Sequence, residues 1–275
     1  MAIRVGVFGA GGRMGATVCR AVVGAPDMEL VAAVDPHHAG IDVRQVTGAE
    51  VSGLQMAPDA EALARAGAEV AVDFTDVAAA RENLTWCAQA GVHAVVGTTG
   101  WESEDLDRLA AIFTRSNCFV APNFAIGAVL MMRFAEMAAP WFETSEIIEL
   151  HHDAKIDAPS GTAMLTAQRM AARASGERGT EQTSQLVLDG ARGGEGPGGI
   201  RVHSVRLRGL VAHQEVILGT TGQSLTIRHD SYDRDSFMPG VLLAVREVGA
   251  HPGLTVGLDH LLGVSPADGI NAAES

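Results

Sequence analysis

Ile3-Arg4-Val5-Gly6-Val7-Phe8-Gly9-Ala10-Gly11-Gly12-Arg13-Met14-Gly15 decides the fold of this chain. A short apolar run ends in glycines and passes at once into a helical pattern over residues 13–23. A strand that feeds a glycine turn and opens a helix offers backbone N–H groups and the positive end of a dipole to a phosphate. Glycine suits such a turn because a Cβ would collide with a pyrophosphate lying against the backbone. Gly9, Gly11 and Gly15 give G-x-G-x-x-x-G, and Gly9, Gly12 and Gly15 give G-x-x-G-x-x-G; the standard spacing would need glycine at Met14. For the glycines alone, a tight turn without a ligand is the competing reading.

The pattern repeats outward. A second apolar run, residues 30–34, closes on Asp35-Pro36, about 20 residues beyond the glycines, where a carboxylate accepts hydrogen bonds from an adenosine ribose. That charge repels a 2′-phosphate and so suits NADH, while His37, His38 and Arg13 offset it and leave room for NADPH. Further apolar runs at 70–74, 93–96 and 118–121 alternate with helical patterns at 77–90 and 103–114. Strands alternating with helices imply βαβ units and a parallel sheet, and their unbroken hydrophobicity fits burial on both faces. Gly97-Thr98-Thr99-Gly100 and Ala121-Pro122-Asn123-Phe124 follow two of these strands, where such sheets bind ligands. Each also reads as a plain turn.

After Pro122 the character changes. Residues 127–139 read as a helix ended by Pro140, 146–150 as a strand, 162–173 as a helix and 175–199 as a Gly-rich loop. Three closely spaced strands, 200–207, 211–218 and 224–229, suggest an antiparallel meander, and 233–248 reads as a last long helix. The expected fold class is α/β: a Rossmann-like parallel-sheet nucleotide domain over residues 1–122, then an α+β domain over 123–232 with an open, mostly antiparallel sheet.

Composition narrows the function. The 275 residues carry 20 basic and 33 acidic side chains, a net charge of −13, which disfavours a nucleic-acid or anionic-membrane surface. Cys19, Cys87 and Cys118 are odd in number and far apart, as expected in a reducing compartment. The N-terminal strand lacks the apolar segment of a signal peptide, and no run approaches a membrane span. The expectation is a soluble cytoplasmic protein.

Glu149-Leu150-His151-His152-Asp153-Ala154-Lys155-Ile156-Asp157-Ala158-Pro159-Ser160-Gly161-Thr162 carries the chemistry. Two histidines and a lysine stand beside a Pro-Ser-Gly-Thr helix start. Imidazole titrates near neutrality and suits proton transfer, and Lys155 adds a point charge. Ser160 or Thr162 can cap the helix, and the N–H groups of Ser160, Gly161 and Thr162 form a pocket for a carboxylate. Asp157 reads as a turn former or an orienter of Lys155. A metal site is not expected, since successive strand residues point to opposite faces and no third ligand lies at suitable spacing. Surface histidines, and a nucleophilic Ser160, are the competing readings; the latter lacks a G-x-S-x-G elbow.

These motifs, with Val72-Asp73-Phe74-Thr75, closely resemble the 4-hydroxy-tetrahydrodipicolinate (dihydrodipicolinate) reductase family of bacterial lysine and diaminopimelate synthesis, from residue 3 to about 264. The resemblance implies His151 as general acid/base, Lys155 as a second proton donor, and His152 with Gly161 and Thr162 on a substrate carboxylate. It implies NADH or NADPH at Gly9, Ala10, Gly11, Gly12, Arg13, Met14, Asp35, Gly97, Thr98, Thr99, Ala121, Pro122, Asn123 and Phe124. It also implies a cyclic dicarboxylate substrate, residues 233–275 returning to complete the nucleotide domain, and a homotetramer built through the open sheets. Another nicotinamide-dependent dehydrogenase of similar build, or a non-catalytic NAD(P)H sensor, remains the alternative.

Overall fold

The computed structural model describes residues 1–174 and 185–264. Met1–Ala125 with Arg234–Gly263 form one compact unit, and the chain from Ile126 to Asp233 forms a second. The sequence division fell at 122 and 233. Part of the expected loop (175–184) and of the expected C-terminal return (265–275) lies outside the described residues.

The first unit begins with β1 (Ile3–Phe8), α1 (Arg13–Gly24), β2 (Met28–Val34) and two short helices, α2 (Val43–Thr47) and α3 (Glu61–Arg65). It continues with β3 (Val70–Asp73), α4 (Val77–Ala90), β4 (His93–Val96), α5 (Ser103–Ile112) and β5 (Cys118–Val120). The strands read as continuous apolar runs because neither face meets water. Val5, Val7, Val72, Val95 and Phe119 expose no surface, each such burial being worth about 1.5–3 kcal/mol. Asp76 starts α4 by accepting the Ala79 N–H at 3.0 Å.

The second unit holds α6 (Ile126–Ala138), β6 (Thr144–His151), α7 (Gly161–Arg173), β7 (Gly194–Glu195), β8 (Arg201–Arg206), β9 (Ala212–Thr220) and β10 (Gln223–Ser231). Its sheet order is β10-β9-β6-β8-β7. The expected three-strand meander is corrected: β9 and β10 form a hairpin, but β6 lies between β9 and β8 and runs parallel to β8. A parallel pair needs a crossover, and the connection through α7 supplies it. The other pairings are antiparallel. Pro140 lies inside a 3-10 turn, Ala139–Trp141, that follows α6. Helices α6 and α7 pack on the sheet, around a core that includes Ile147, Ala163, Ala167, Met170, Val216 and Leu218.

The chain then re-enters the first unit as a 3-10 turn (Arg234–Phe237), α8 (Met238–Glu247) and β11 (Leu254–Val256). The single helix expected over 233–248 is therefore broken at its start. Pro239, which lacks an N–H, sits in the first turn of α8, where that loss is tolerated. Arg246 pairs with Asp27 at 2.6 and 2.9 Å, and Asn117 donates to the Val248 carbonyl at 2.8 Å. Unforeseen from sequence, β11 extends the sheet to β11-β5-β4-β3-β1-β2, with every neighbouring pair parallel. The order reverses between β1 and β3, so a crevice opens at the carboxyl ends of those strands, as in other doubly wound sheets. No described helix is long and apolar enough to cross a membrane.

Candidate active site

The glycine turn leaves β1 at this crevice. Gly12 donates to the Gly9 carbonyl at 2.9 Å and stands at the N-cap of α1, which has no side-chain cap. The first-turn N–H groups are thus open to an anion. A Cβ on Gly15 would land on the Gly9 carbonyl, and one on Gly11 would meet His38 and the Asp35 carboxylate. The departure from standard glycine spacing therefore has a packing cause: position 15, not 14, presses on the turn.

Asp35 is buried, with 7% of its surface exposed. It accepts N–H groups from Gly11 and His37, each at 3.0 Å. His38 Nδ1 lies 3.1 Å from Asp35 Oδ1. Burial pushes this carboxyl up, but His38 and the two N–H groups outweigh it and hold the group below the usual carboxylate range. A carboxylate has about four acceptor positions, so capacity remains for ribose hydroxyls. An uncapped helix start, a turn pressed free of side chains and an ionised acceptor at the next strand end fit a dinucleotide.

The remaining positions of this edge differ in what they offer. Thr98 is buried and turns its hydroxyl inward, to the Thr75 carbonyl at 3.0 Å and Asp73 at 3.2 Å. That hydroxyl is committed to the fold, and the exposed Thr99 holds the accessible one. Phe124 is buried and packs its ring against Phe74 and Phe119, with centroids 5.8 and 6.1 Å apart. Ala121 is buried and donates to the Val96 carbonyl at 3.1 Å, Pro122 is exposed, and Asn123 Oδ1 accepts the Ala125 N–H at 2.9 Å. Sequence reasoning gave no role to Asp73, yet its buried carboxylate also accepts from Thr75 (2.8 and 2.7 Å) and Asn83 (2.8 Å), pinning the β3 and β4 ends together.

In the second unit, β6 ends at His151, and exposed His152 begins the following loop. Lys155 donates to Asp157 at 2.7 Å, which makes Asp157 its orienter. Ser160 is the cap of α7, its hydroxyl accepting the Ala163 N–H at 3.2 Å. The Ser160 N–H is itself taken, by Glu149 at 3.3 Å. Of the three N–H groups expected to receive a carboxylate, that of Ser160 is therefore engaged within the fold. The Ala158–Pro159 bond is cis, and Pro159 stands immediately before the cap.

The centre of this cluster was not foreseen. Glu149, with no exposed surface, binds Arg206 through two hydrogen bonds at 2.8 and 2.9 Å and meets His151 Nδ1 at 2.5 Å. Burial pushes Glu149 up, but Arg206, then Ser204 and His151, hold its carboxyl below the ordinary value. His151 is pulled below its ordinary value by burial, against the opposing pull of Glu149, with Lys155 and Arg206 adding to the fall. The only sequence signal for this arrangement was a charged residue inside an apolar strand, two positions before a histidine. The arrangement can hold a carboxylate at a helix start and exchange a proton through an oriented imidazole.

A parallel sheet with a phosphate-ready glycine turn, joined in one chain to a mixed sheet bearing this His/Lys cluster, defines a two-unit reductase of the dinucleotide-binding α/β class. Residues 3–124 match the model of the dihydrodipicolinate reductase N-terminus, and residues 127–262 that of its C-terminus. The chain belongs to the dihydrodipicolinate reductase family, and its cofactor is a nicotinamide dinucleotide. It is 49% identical over 270 residues to the 4-hydroxy-tetrahydrodipicolinate reductase of Corynebacterium aurimucosum, covering 96% of this chain and 100% of that one. It is 52% identical over 268 residues to that of Nocardia farcinica, covering 95% and 99%. Among solved structures, the dipicolinate-bound dihydrodipicolinate reductase from Paenisporosarcina sp. TG-14 aligns with a TM-score of 0.83 at 41% identity, over 94% of this chain and 99% of that one.

Proposed function

We propose that this protein reduces 4-hydroxy-tetrahydrodipicolinate to tetrahydrodipicolinate in lysine and diaminopimelate synthesis, with His151 and Lys155 as its proton donors. The observation that carries the reading is the His151–Glu149 contact beside the start of α7. When bound, the reduced nicotinamide supplies a hydride to the conjugated cyclic imine. The residues of this chain do the rest. The Gly161 and Thr162 N–H groups, helped by His152, receive a substrate carboxylate at the positive end of α7. Lys155, steadied by Asp157, balances the charge of the diacid. His151 delivers a proton from Nε2 to the enamine carbon.

The dinucleotide would be held by Gly9, Ala10, Gly11, Gly12, Arg13 and Met14 on its phosphates and by Asp35 on its adenosine ribose. Gly97, Thr98, Thr99 and the segment Ala121 to Phe124 would hold its nicotinamide end, Thr98 through its backbone. We assign both NADH and NADPH as cofactors, because Asp35 favours a free ribose while His38 and Arg13 offset its charge. The enzyme works in the cytoplasm as a homotetramer, a reading supported by family resemblance.

Absorbance of NADH and NADPH, followed separately with freshly made substrate, tests this. The His151→Gln variant is expected to lose about 10²–10⁴-fold in kcat with nucleotide affinity unchanged, and dipicolinate is expected to compete with substrate. Wild-type turnover in that variant, or no oxidation of either nucleotide by the native enzyme, would overturn the proposal.

A further inference from the structure

Glu149 and His151 stand two positions apart on β6 and so on one face of the sheet. A carboxylate with no exposed surface is tolerated only when its charge is answered and its lone pairs are filled. Here β8 answers it: Arg206 grips both oxygens, and one Arg206 nitrogen reaches on to the Asp157 carbonyl at 2.6 Å. The Ser160 N–H at the cap of α7 supplies a further bond to Oε1. Oε2 meets the Nδ1 nitrogen of His151. An ionised carboxylate only accepts hydrogen bonds, so the hydrogen in that contact belongs to Nδ1, and in the neutral ring the lone pair lies on Nε2.

We propose that Glu149, clamped by Arg206, is a positioning residue that holds His151 in its Nδ1–H tautomer and reserves Nε2 for the exchanged proton. The Ser160 bond fixes the same carboxylate to the helix start that receives the substrate, so ring and carboxylate pocket keep one spacing. This inference rests on the reading of His151 as proton donor. In the transfer, the N–H bond at Nε2 of the imidazolium breaks and its electron pair stays on nitrogen. The enamine electron pair forms the new C–H bond, the ring becomes neutral with Nδ1–H kept on Glu149, and water later returns a proton to Nε2.

The charged groups facing His151 are Glu149 on its own strand, Arg206 on β8 and Lys155 in the following loop; the paired position on β9 is Ala212. Glu149 is the one among them that favours the protonated ring. Its removal therefore lowers the pH up to which His151 carries its proton.

The test is Glu149→Gln, with Glu149→Asp beside it and nitrogen-15 NMR of the labelled histidines. In Glu149→Gln, kcat is expected to fall about 100-fold, KM for the dicarboxylate to change far less, and the alkaline limb of the kcat profile to move down by about one pH unit. Glu149→Asp, which keeps the charge, restores part of kcat and of the limb. In the native protein at alkaline pH, the His151 resonances report hydrogen on Nδ1, a result that stands whether or not the Gln variant folds. A native Nε2–H tautomer, or a folded Gln variant with an unmoved limb, overturns the inference. Wild-type turnover in His151→Gln would instead refute the proton-donor role and leave the tautomer result intact.

Discussion

Replacing Gly161 by alanine separates what the start of α7 does for the fold from the substrate-binding role proposed for it. A Cβ built on Gly161 meets nothing within 4 Å, and the residue is the first of the helix without a left-handed φ. Neither packing nor backbone geometry asks for glycine there. Alanine removes conformational freedom from the unfolded chain, so Gly161→Ala is expected to stabilise the protein by about 0.4–1 kcal/mol. For a chain of this size that raises Tm by about 1–4 °C. Helical Cβ atoms tilt toward the N-terminus, so the new methyl enters the space before the Gly161 and Thr162 amides. A carboxylate pushed off even one of these N–H groups loses about 1.5–3 kcal/mol, which corresponds to a rise of about 10–150-fold in substrate KM. Thermal melts and steady-state oxidation of NADH measure the two effects on one preparation. An unchanged KM would remove the carboxylate from the start of α7, and a lowered Tm would show that the packing reasoning is wrong.

Gly15→Ala poses the opposite case, because its Cβ falls on the Gly9 backbone, which no rotamer change relieves. We expect a loss of about 1–3 kcal/mol in urea unfolding and at least about a tenfold weaker nucleotide Kd by titration, with dicarboxylate binding retained. Glu149 links stability to acid: its folded carboxyl lies below the unfolded value of about 4.3. Its contribution is therefore complete above that value and is lost as pH falls through the lower folded one. Urea midpoints taken between pH 7 and 3 should decline less steeply in Glu149→Gln than in the native protein. Cys19, Cys87 and Cys118 are buried, and burial pushes Cys19 up to about 12 and holds Cys87 and Cys118 well above the ordinary thiol range. A disulfide reagent should find essentially no reactive thiol at pH 8 until denaturant is added; rapid native labelling would contradict that burial.

Which parts of this molecule can be read from sequence follows from where their causes lie. The strands 3–8 and 93–96 and the helix 77–90 were legible to the residue, because burial on both faces or a cap-to-glycine frame writes a local pattern. Leu254–Val256 was not legible: three residues after a turn, only partly buried at the sheet edge, carry no periodicity. Close succession of the last three strands suggested a meander, yet β6 intervenes because its parallel partner lies 50 or more residues away in the chain. The same distance hid the site's anchor. His151, Lys155 and Ser160 stand together in sequence, whereas Arg206 and Glu149 meet only through the β6–β8 register. Thr98 misled for a related reason, since its hydroxyl answers Asp73, 25 residues earlier.

That parallel pairing has a consequence for the order in which the protein matures. Arg206 reaches Glu149 only after the β6–α7–β8 crossover has closed, a long excursion whose entropy must be met before the pairing returns anything. The β9–β10 hairpin can zip early, whereas His151 gains its fixed orientation among the last events. During refolding, restored secondary structure should therefore precede restored turnover.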